Sequence, residues 1–505
     1  MKKTIFTLVG ILILFSCDKS YLATFPTSST STSTIFETTK NATLAINGIS
    51  KLMTRQYLGS QGFNGEGTIK MYYGNYPGNH FFVNLPGWAP IINSTYNENI
   101  TSIYLYYPWY YYYMIIGNAN AVIVNIGNAQ GPQAERDFIK AQALTFRAYS
   151  YFMLSQLYCL RWKDSNNGAS SGLVLRLDTS TDPKPLSTLA DVYKQIYDDL
   201  DEAIQLYTAS GKTRTSNYDP DKNVAYAVYA RAAITRQDNA KASTMAVNAR
   251  NGYPLMSVSA YKEGFFAPTS EWIWSSFGSS DETLYYFSYH AYIAYNSSAS
   301  AVRTYPKCIS RELFNKIPAT DIRKSLFLDP TGYTYTTSTG LAGSALKARA
   351  FSLFPDIYST SSAYAYMQFK IKAQDQPGVG HLNHFRSSEM YLIEAEAKYF
   401  LNDATGAQQA LIALNRTSGR DPQYNCTKTG VELLEEIKTY RAFELWGEGF
   451  DWFDLKRWGD PVVRKNYTAG GNFISTLDIT ILPNERNNWT WKIPVKETDY
   501  NDLVD

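Results

Sequence analysis

Apolar residues recur every three to four positions in paired segments, and this pattern constrains the chain's fold more than anything else in it. Phe138, Ala141, Thr145, Ala148 and Phe152 mark one face of a helix over residues 133–160. Val192, Ile196, Leu200 and Ile204 do the same over 189–207. There Thr188 is placed to cap the first turn, with Asp191 near the positive end of the helix dipole. Further helical segments follow at 224–235 and 240–250, closed by Asn251-Gly252, then at 389–401, 406–416 and 431–446. Short helix pairs with small residues at their contacts are the unit of tetratricopeptide-type scaffolds, although the spacing here is too irregular for a tandem array.

Between the helices the texture changes. Gly, Pro, Ser and Thr punctuate residues 253–382, leaving short β-like runs such as Glu271-Trp272-Ile273-Trp274. Residues 61–97 read the same way, and the glycines of 62–67 lack the strand–helix setting of a phosphate loop, so they read as loop. Long irregular stretches inside a compact unit usually carry function. The expected fold is mainly α: one domain over 37–505, a tetratricopeptide-like helix-pair scaffold with large loop-rich, partly β insertions at about 61–97 and 253–382.

The start of the chain reads separately. Lys2 and Lys3 precede an apolar run over residues 5–15. At about 11 residues it is too short for a membrane span, which takes about 20, and has the length of a signal-peptide core. Leu14-Phe15-Ser16-Cys17 closes it. A small residue before cysteine resembles the bacterial lipobox, which makes residues 1–16 a cleaved signal and Cys17 an acylated N-terminus. Two acyl chains give a stable anchor where one does not. Residues 17–36 then form anchor and tether, rich in Ser, Thr and Pro.

A net charge of +2 gives no sign of nucleic-acid binding. Cys159, Cys308 and Cys426 allow at most one disulfide, so this is not a disulfide-built scaffold. The anomaly is aromatic content, 41 Tyr, 25 Phe and 10 Trp. Flat faces with polar tips suit half-wet binding surfaces, and suit ordinary packing equally.

Several blocks, in order along the mature chain, resemble the SusD/RagB family of outer-membrane glycan-binding lipoproteins of Bacteroidetes. They are Cys17-Asp18-Lys19-Ser20-Tyr21-Leu22, Arg147-Ala148-Tyr149-Ser150-Tyr151-Phe152 and Asp321-Ile322-Arg323. Next come Arg386 to Ala397 with Glu389, Glu394 and Glu396, and Ile493-Pro494 near the end. The most specific is Arg441-Ala442-Phe443-Glu444-Leu445 followed by residues 448–457. The resemblance implies an outer-membrane, lipid-anchored protein facing the cell exterior, without catalysis or cofactor. It also implies a SusC-like TonB-dependent transporter as partner, to which bound oligosaccharide is delivered. An acidic run after the cysteine, tied to surface export in that family, is reduced here to Asp18.

The charges in these blocks read as ion-pair networks locking helices together. Asp451 and Asp454 share a helix face if the last helix continues, and basic neighbours are expected to keep both ionised, which disfavours an acid/base pair for glycoside hydrolysis. Glu394 and Glu396 point to different sides of their helix. His381 and His384, three apart, lack a further metal ligand nearby, and no metal site is expected.

A saccharide needs flat aromatics beside a few polar groups on a preformed surface. Trp88, Asn93 and Tyr96 offer these in the first insertion. In the second, Trp272 and Trp274 share a strand face by alternation, and Tyr292, Tyr295 and Arg303 follow. The family's site is similarly built from a loop Trp before the first long helices and aromatics of the later insertion, a match of region only. For each tryptophan the competing reading is plain core packing. Residues 110–113 read as helix packed on the scaffold. Two other function classes stay open: a helical-repeat assembly protein that binds no sugar, and a glycosidase.

Overall fold

The computed structural model describes residues 32–58, 63–279 and 288–504, so the signal, Cys17 and most of the tether lie outside the described residues. A helical turn over Thr32–Ile35 leads into α1 (Thr39–Leu52), whose Ala42, Ile46 and Ile49 face the core. The longest helices are α2 (Ile103–Asn125), α3 (Gln133–Tyr158) and α4 (Leu189–Ser210). They are followed by α5 (Lys222–Thr235), α6 (Asn239–Ala249) and α7 (Ser344–Leu353). Then come α8 (Ser387–Phe400), α9 (Ala404–Ile412), α10 (Gly430–Glu444) and α11 (Asp451–Trp458). The fold is mainly α, as the periodicity implied.

Helix α4 shows why the periodic segments fold as they do. Thr188 and Asp191 form a reciprocal capping box, and Gly211 ends the helix in the left-handed conformation that glycine tolerates. Helices α3 and α4 pack together, as do α5 and α6, then α8 and α9, with α6 against α8 joining the pairs. Ala227, Ala230, Ala233, Ala242 and Ala246 are fully buried, and these small residues let the α5 and α6 backbones approach closely. Arg147 ties three helices: its guanidinium donates to both oxygens of Asp199 on α4, at 2.8 and 2.6 Å, and to Asn120 Oδ1 on α2 at 2.9 Å.

Pro108 interrupts α2, removing one ladder donor. The Tyr104 carbonyl thus freed accepts from the Tyr73 hydroxyl at 2.5 Å. The Tyr158 hydroxyl inserts one step on, accepting from Trp109 N at 3.1 Å and donating to the Leu105 carbonyl. Tyrosines are here used as backbone caps.

The β content consists of four two-stranded antiparallel sheets. β1 (Phe81–Val83) pairs with β5 (Lys307–Ile309), which joins the first insertion to the second. β2 (Ser171–Val174) pairs with β3 (Leu186–Thr188), and β7 (Val462–Arg464) with β8 (Ile479–Ile481). β4 (Trp272–Ser276) pairs with β6 (Leu382–Arg386) and closes the neck of the second insertion.

Beneath that neck sits a buried charge network. Arg386 bonds Glu271, Glu444 and Glu448, while Arg420 reaches Glu271 and Glu444. Arg323 is held by Asp321 and reaches Glu444 at 2.6 Å, and Lys370 bonds Glu448 at 2.6 Å. Surrounded by cations, Glu444 and Glu448 are held well below the usual carboxylate range despite burial. The charged blocks thus fasten the second insertion to α8 and α10.

Three expectations are corrected. Residues 65–75 are helical, an α turn over Gly65–Thr68 running into a π-helix over Ile69–Asn75. Asp451 does not share the basic neighbours of Asp454: Arg441 and Arg457 bond Asp454, whereas Asp451 accepts from His80 N at 2.6 Å and burial pushes it up to about 7. His381 and His384 sit at β6, not on a helix, with His381 against Tyr218 and His384 against Ser276 Oγ. Among the described residues no His, Cys, Asp and Glu are grouped to hold a metal, and Cys159, Cys308 and Cys426 are buried and unpaired. No described helix is long and apolar enough to cross a membrane.

Candidate functional site

The two insertions meet at an aromatic corner. Trp88 ends a 3-10 turn over Pro86–Trp88 and stays half-buried. It meets Tyr72 edge-on at 5.3 Å between ring centroids, and Tyr76 and Tyr292 at 6.0 Å each. Tyr292 comes from the second insertion, on the short helix Tyr289–Ile293, and its hydroxyl lies 3.2 Å from that of Tyr72. Tyr96 stacks on Tyr104 of α2 at 4.8 Å with 14° between planes, and Tyr104 meets Tyr72 at 6.1 Å. Trp88, Tyr96 and Tyr104 are half-buried in front; Tyr72, Tyr76 and Tyr292 are buried behind them.

One backbone turn holds both insertions in place. Asn75 donates to the Gly447 carbonyl at 2.7 Å and accepts from Gly449 N at 2.8 Å. The Tyr289 hydroxyl donates to the same Gly447 carbonyl at 2.7 Å. Gly447 and Gly449 have φ of 81° and 90°, and a Cβ on Gly449 would press on Lys70. The most specific sequence block is thereby the turn that brings Tyr72 and Tyr292 together. Behind it, Arg464 bonds Asn93 Oδ1 at 2.8 Å and caps the carbonyls of Pro77, Gly78 and Ile92. Asn93 keeps Nδ2 without a partner among the described residues.

The other expected residues do not join this corner. Trp272 and Trp274 are 1% and 0% exposed, so neither offers a face to a surface ligand. They do not share a strand face either, because the β4–β6 register shifts between them. Trp272 packs with Met256, Tyr261 and Phe265, whereas Trp274 meets Phe146, Tyr149 and Phe385. Tyr295 turns to Phe354 and Phe369 and donates to Asp356 at 3.0 Å. Arg303 donates to Thr360 at 3.1 Å.

Sequence reasoning missed Tyr72, Tyr76 and Tyr104. Tyr72 and Tyr76 are four apart, a helical signal hidden among glycines.

Two family models cover almost the whole described chain. One, described as starch-binding associating with outer membrane, matches residues 53–234, and the SusD family model matches residues 235–503. The chain belongs to the SusD family. Proteins of the SusD family are associated with the outer membrane and bind carbohydrate. Solved structures from the family repeat the fold. A SusD-like carbohydrate binding protein from Bacteroides vulgatus is 23% identical, with a TM-score of 0.75 over 93% of this chain and 98% of that one. A SusD superfamily protein from Bacteroides thetaiotaomicron is 23% identical, with a TM-score of 0.71 over 93% and 99%. One from Bacteroides fragilis is 20% identical, with a TM-score of 0.69 over 93% and 100%. No curated protein matches the chain.

Proposed function

We propose that this SusD-family chain is a non-catalytic glycan-binding lipoprotein that captures oligosaccharide and delivers it to a SusC-like TonB-dependent transporter. Cys17 carries the lipid and the binding corner faces the cell exterior. The observation that supports this best is Trp88: a half-buried indole, edge-on to Tyr72 and Tyr76 of the first insertion and tilted against Tyr292 of the second. Such a wall presents a rigid aromatic face without ordering cost at binding. Tyr96, stacked on Tyr104, extends the wall, and the half-buried Asn93, held through Oδ1 by Arg464, is the polar candidate between Trp88 and Tyr96 in sequence. Trp272, Trp274, Tyr295 and Arg303 take no part in contact with the sugar.

One observation favours a hydrolase reading. Asp451, pushed up to about 7, shares a cavity of about 230 Å³ with Asp454, Trp446 and Trp458. Yet the Asp451 carboxylate accepts a backbone bond from His80, and two arginines hold Asp454. With Asp454 taken up by two arginines, Asp451 has no second free carboxyl to work with, so the binding reading stands ahead.

Titration calorimetry against soluble glycans, with a reducing-end assay on the same mixtures, tests the proposal. Saccharide binding without release of reducing ends is expected, with Trp88→Ala weakening it at least tenfold, about 1.4 kcal/mol. Turnover would overturn the non-catalytic reading, and an unchanged Trp88→Ala affinity the placement of the site. Heat from no glycan would favour the assembly-protein reading. Mass spectrometry of the mature N-terminus reports on Cys17, and co-purification from outer membranes reports on the transporter.

A further inference from the structure

Helix α2 has a second aromatic face. At about 100° per residue, Tyr106, Tyr110, Tyr113 and Gly117 fall on one stripe, on the side of α2 opposite Tyr104. This stripe lines a groove of about 460 Å³, closed on its other sides by Arg176, by residues 178–181 and by Lys496, Glu497 and Tyr500 near the C-terminus. The volume lies within the range of about 300–1,000 Å³ usual for small-ligand sites.

The floor of the groove is preformed. Trp109 is buried there, and its Nε1 donates to Glu497 Oε2 at 3.0 Å. Glu497 Oε1 in turn accepts from Asn501 Nδ2 at 2.8 Å and from Arg176 at 3.5 Å. Above this floor the tyrosines are left open. Tyr106 and Tyr110 lie 5.6 Å apart and only half-buried, and Tyr500 is 79% exposed at the rim. Among the described residues, the hydroxyls of Tyr106, Tyr110, Tyr500, Thr179 and Thr181 and the ammonium of Lys496 have no hydrogen-bond partner.

We infer that this groove is a second saccharide-binding site, separate from the Trp88 corner and independent of it. Three features select that ligand class. Exposed ring faces match the C–H faces of a pyranose, and unpaired hydroxyls of both donor and acceptor character match its vicinal hydroxyls. The lining charges balance, Arg176 and Lys496 against Asp178 and Glu497, so the groove has no net charge to select a polyanion. An apolar peptide would leave these hydroxyls desolvated and unmade.

Gly117 provides a clean perturbation. A Cβ there meets nothing within 4 Å, so Gly117→Gln grows a neutral side chain into the groove and replaces a helical glycine with a better helix former. The full chain and its variants would be probed on an array of oligosaccharides that includes α-1,4-glucan, β-1,4-xylan, β-1,4-mannan and galacturonan hexamers. Trp88→Ala is expected to retain binding to part of the array. Adding Gly117→Gln, or Tyr106→Ala with Tyr110→Ala, is expected to reduce that remainder at least tenfold.

If Trp88→Ala removes all binding, the second site falls and the first stands. Residual binding undiminished by either groove variant also refutes the groove. Loss of transporter co-purification, with glycan binding intact, would assign the face to a protein partner instead. If the wild type binds no sugar on the array, both sites fall. If the groove variants alone abolish binding, the groove stands and the Trp88 placement falls.

Discussion

Replacing Arg147 with methionine isolates one buried charge. The side chain keeps most of its length, but Asp199 loses two charge-assisted bonds of 2.8 and 2.6 Å and Asn120 loses a donor. Among the described residues, Asp199 then retains only the Gln195 amide at 2.7 Å. Breaking one partner out of a buried pair costs about 3–5 kcal/mol. Burial pushes the Asp199 carboxyl up while Arg147 pulls it back, so without the arginine it takes up a proton and the cost falls toward the lower end. At about 2.1 cal/mol/K per residue the unfolding entropy of a unit this size is about 1 kcal/mol/K, so Tm drops by roughly 3 °C.

The pH dependence has a definite sign. A carboxyl whose folded pKa is raised contributes stability at low pH that is lost as pH rises through that pKa. The Tm deficit of Arg147→Met is therefore larger at pH 8 than at pH 5. Calorimetry of wild type, Arg147→Met, Asp199→Leu and the double variant measures the coupling, and the double variant should recover most of the loss. A single variant within about 1 °C of wild type at both pH values would refute the reasoning, since no buried charge would then have been exposed to cost.

Acidification should destabilise the fold below the ordinary histidine range. Burial pulls His290 down to about 4, so its contribution is present above about 6.5 and lost as pH falls through 4, about 3 kcal/mol at full charge; Tm measured from pH 7 to 4 checks this. Asp451→Asn keeps the acceptor for His80 N and removes a carboxyl raised to about 7, so its stability gain over wild type should grow from acid pH upward and be larger at pH 8 than at pH 5. Gly449→Ala should lower Tm strongly and weaken glycan binding with it, because φ is 90° and the new methyl presses on Lys70; unchanged binding would uncouple that turn from the aromatic corner.

Helices with regular apolar spacing were legible because periodicity and capping are local. The Thr188–Asp191 box and the α3 face read directly from residues within one turn of each other. Residues 65–75 were hidden by Gly65, Gly67 and Gly74, whose purpose is long-range: Gly74 lets its backbone lie against Gly449, and Gly67 lies against Tyr289. Trp272 and Trp274 misled because alternation assumes an unbroken ladder, and one register shift sends them to separate clusters. The meeting of Trp88 with Tyr292 joins residues some two hundred positions apart, which no local pattern reveals.

The neck of the second insertion has an evolutionary consequence. Its two ends enter and leave through one antiparallel pair, β4 with β6, anchored by Glu271 and Arg386. A third fastening, Asp321 with Arg323, reaches back from inside the insertion to Glu444. The stretch behaves as a cassette with three clasps. Exposed loops between the clasps that carry none of the other fastenings, which include Lys370 on Glu448, Tyr289 on Gly447 and β5 on β1, can change in length and chemistry while the helices beneath keep their charges matched. The loop face therefore has room to change without rebuilding the rest.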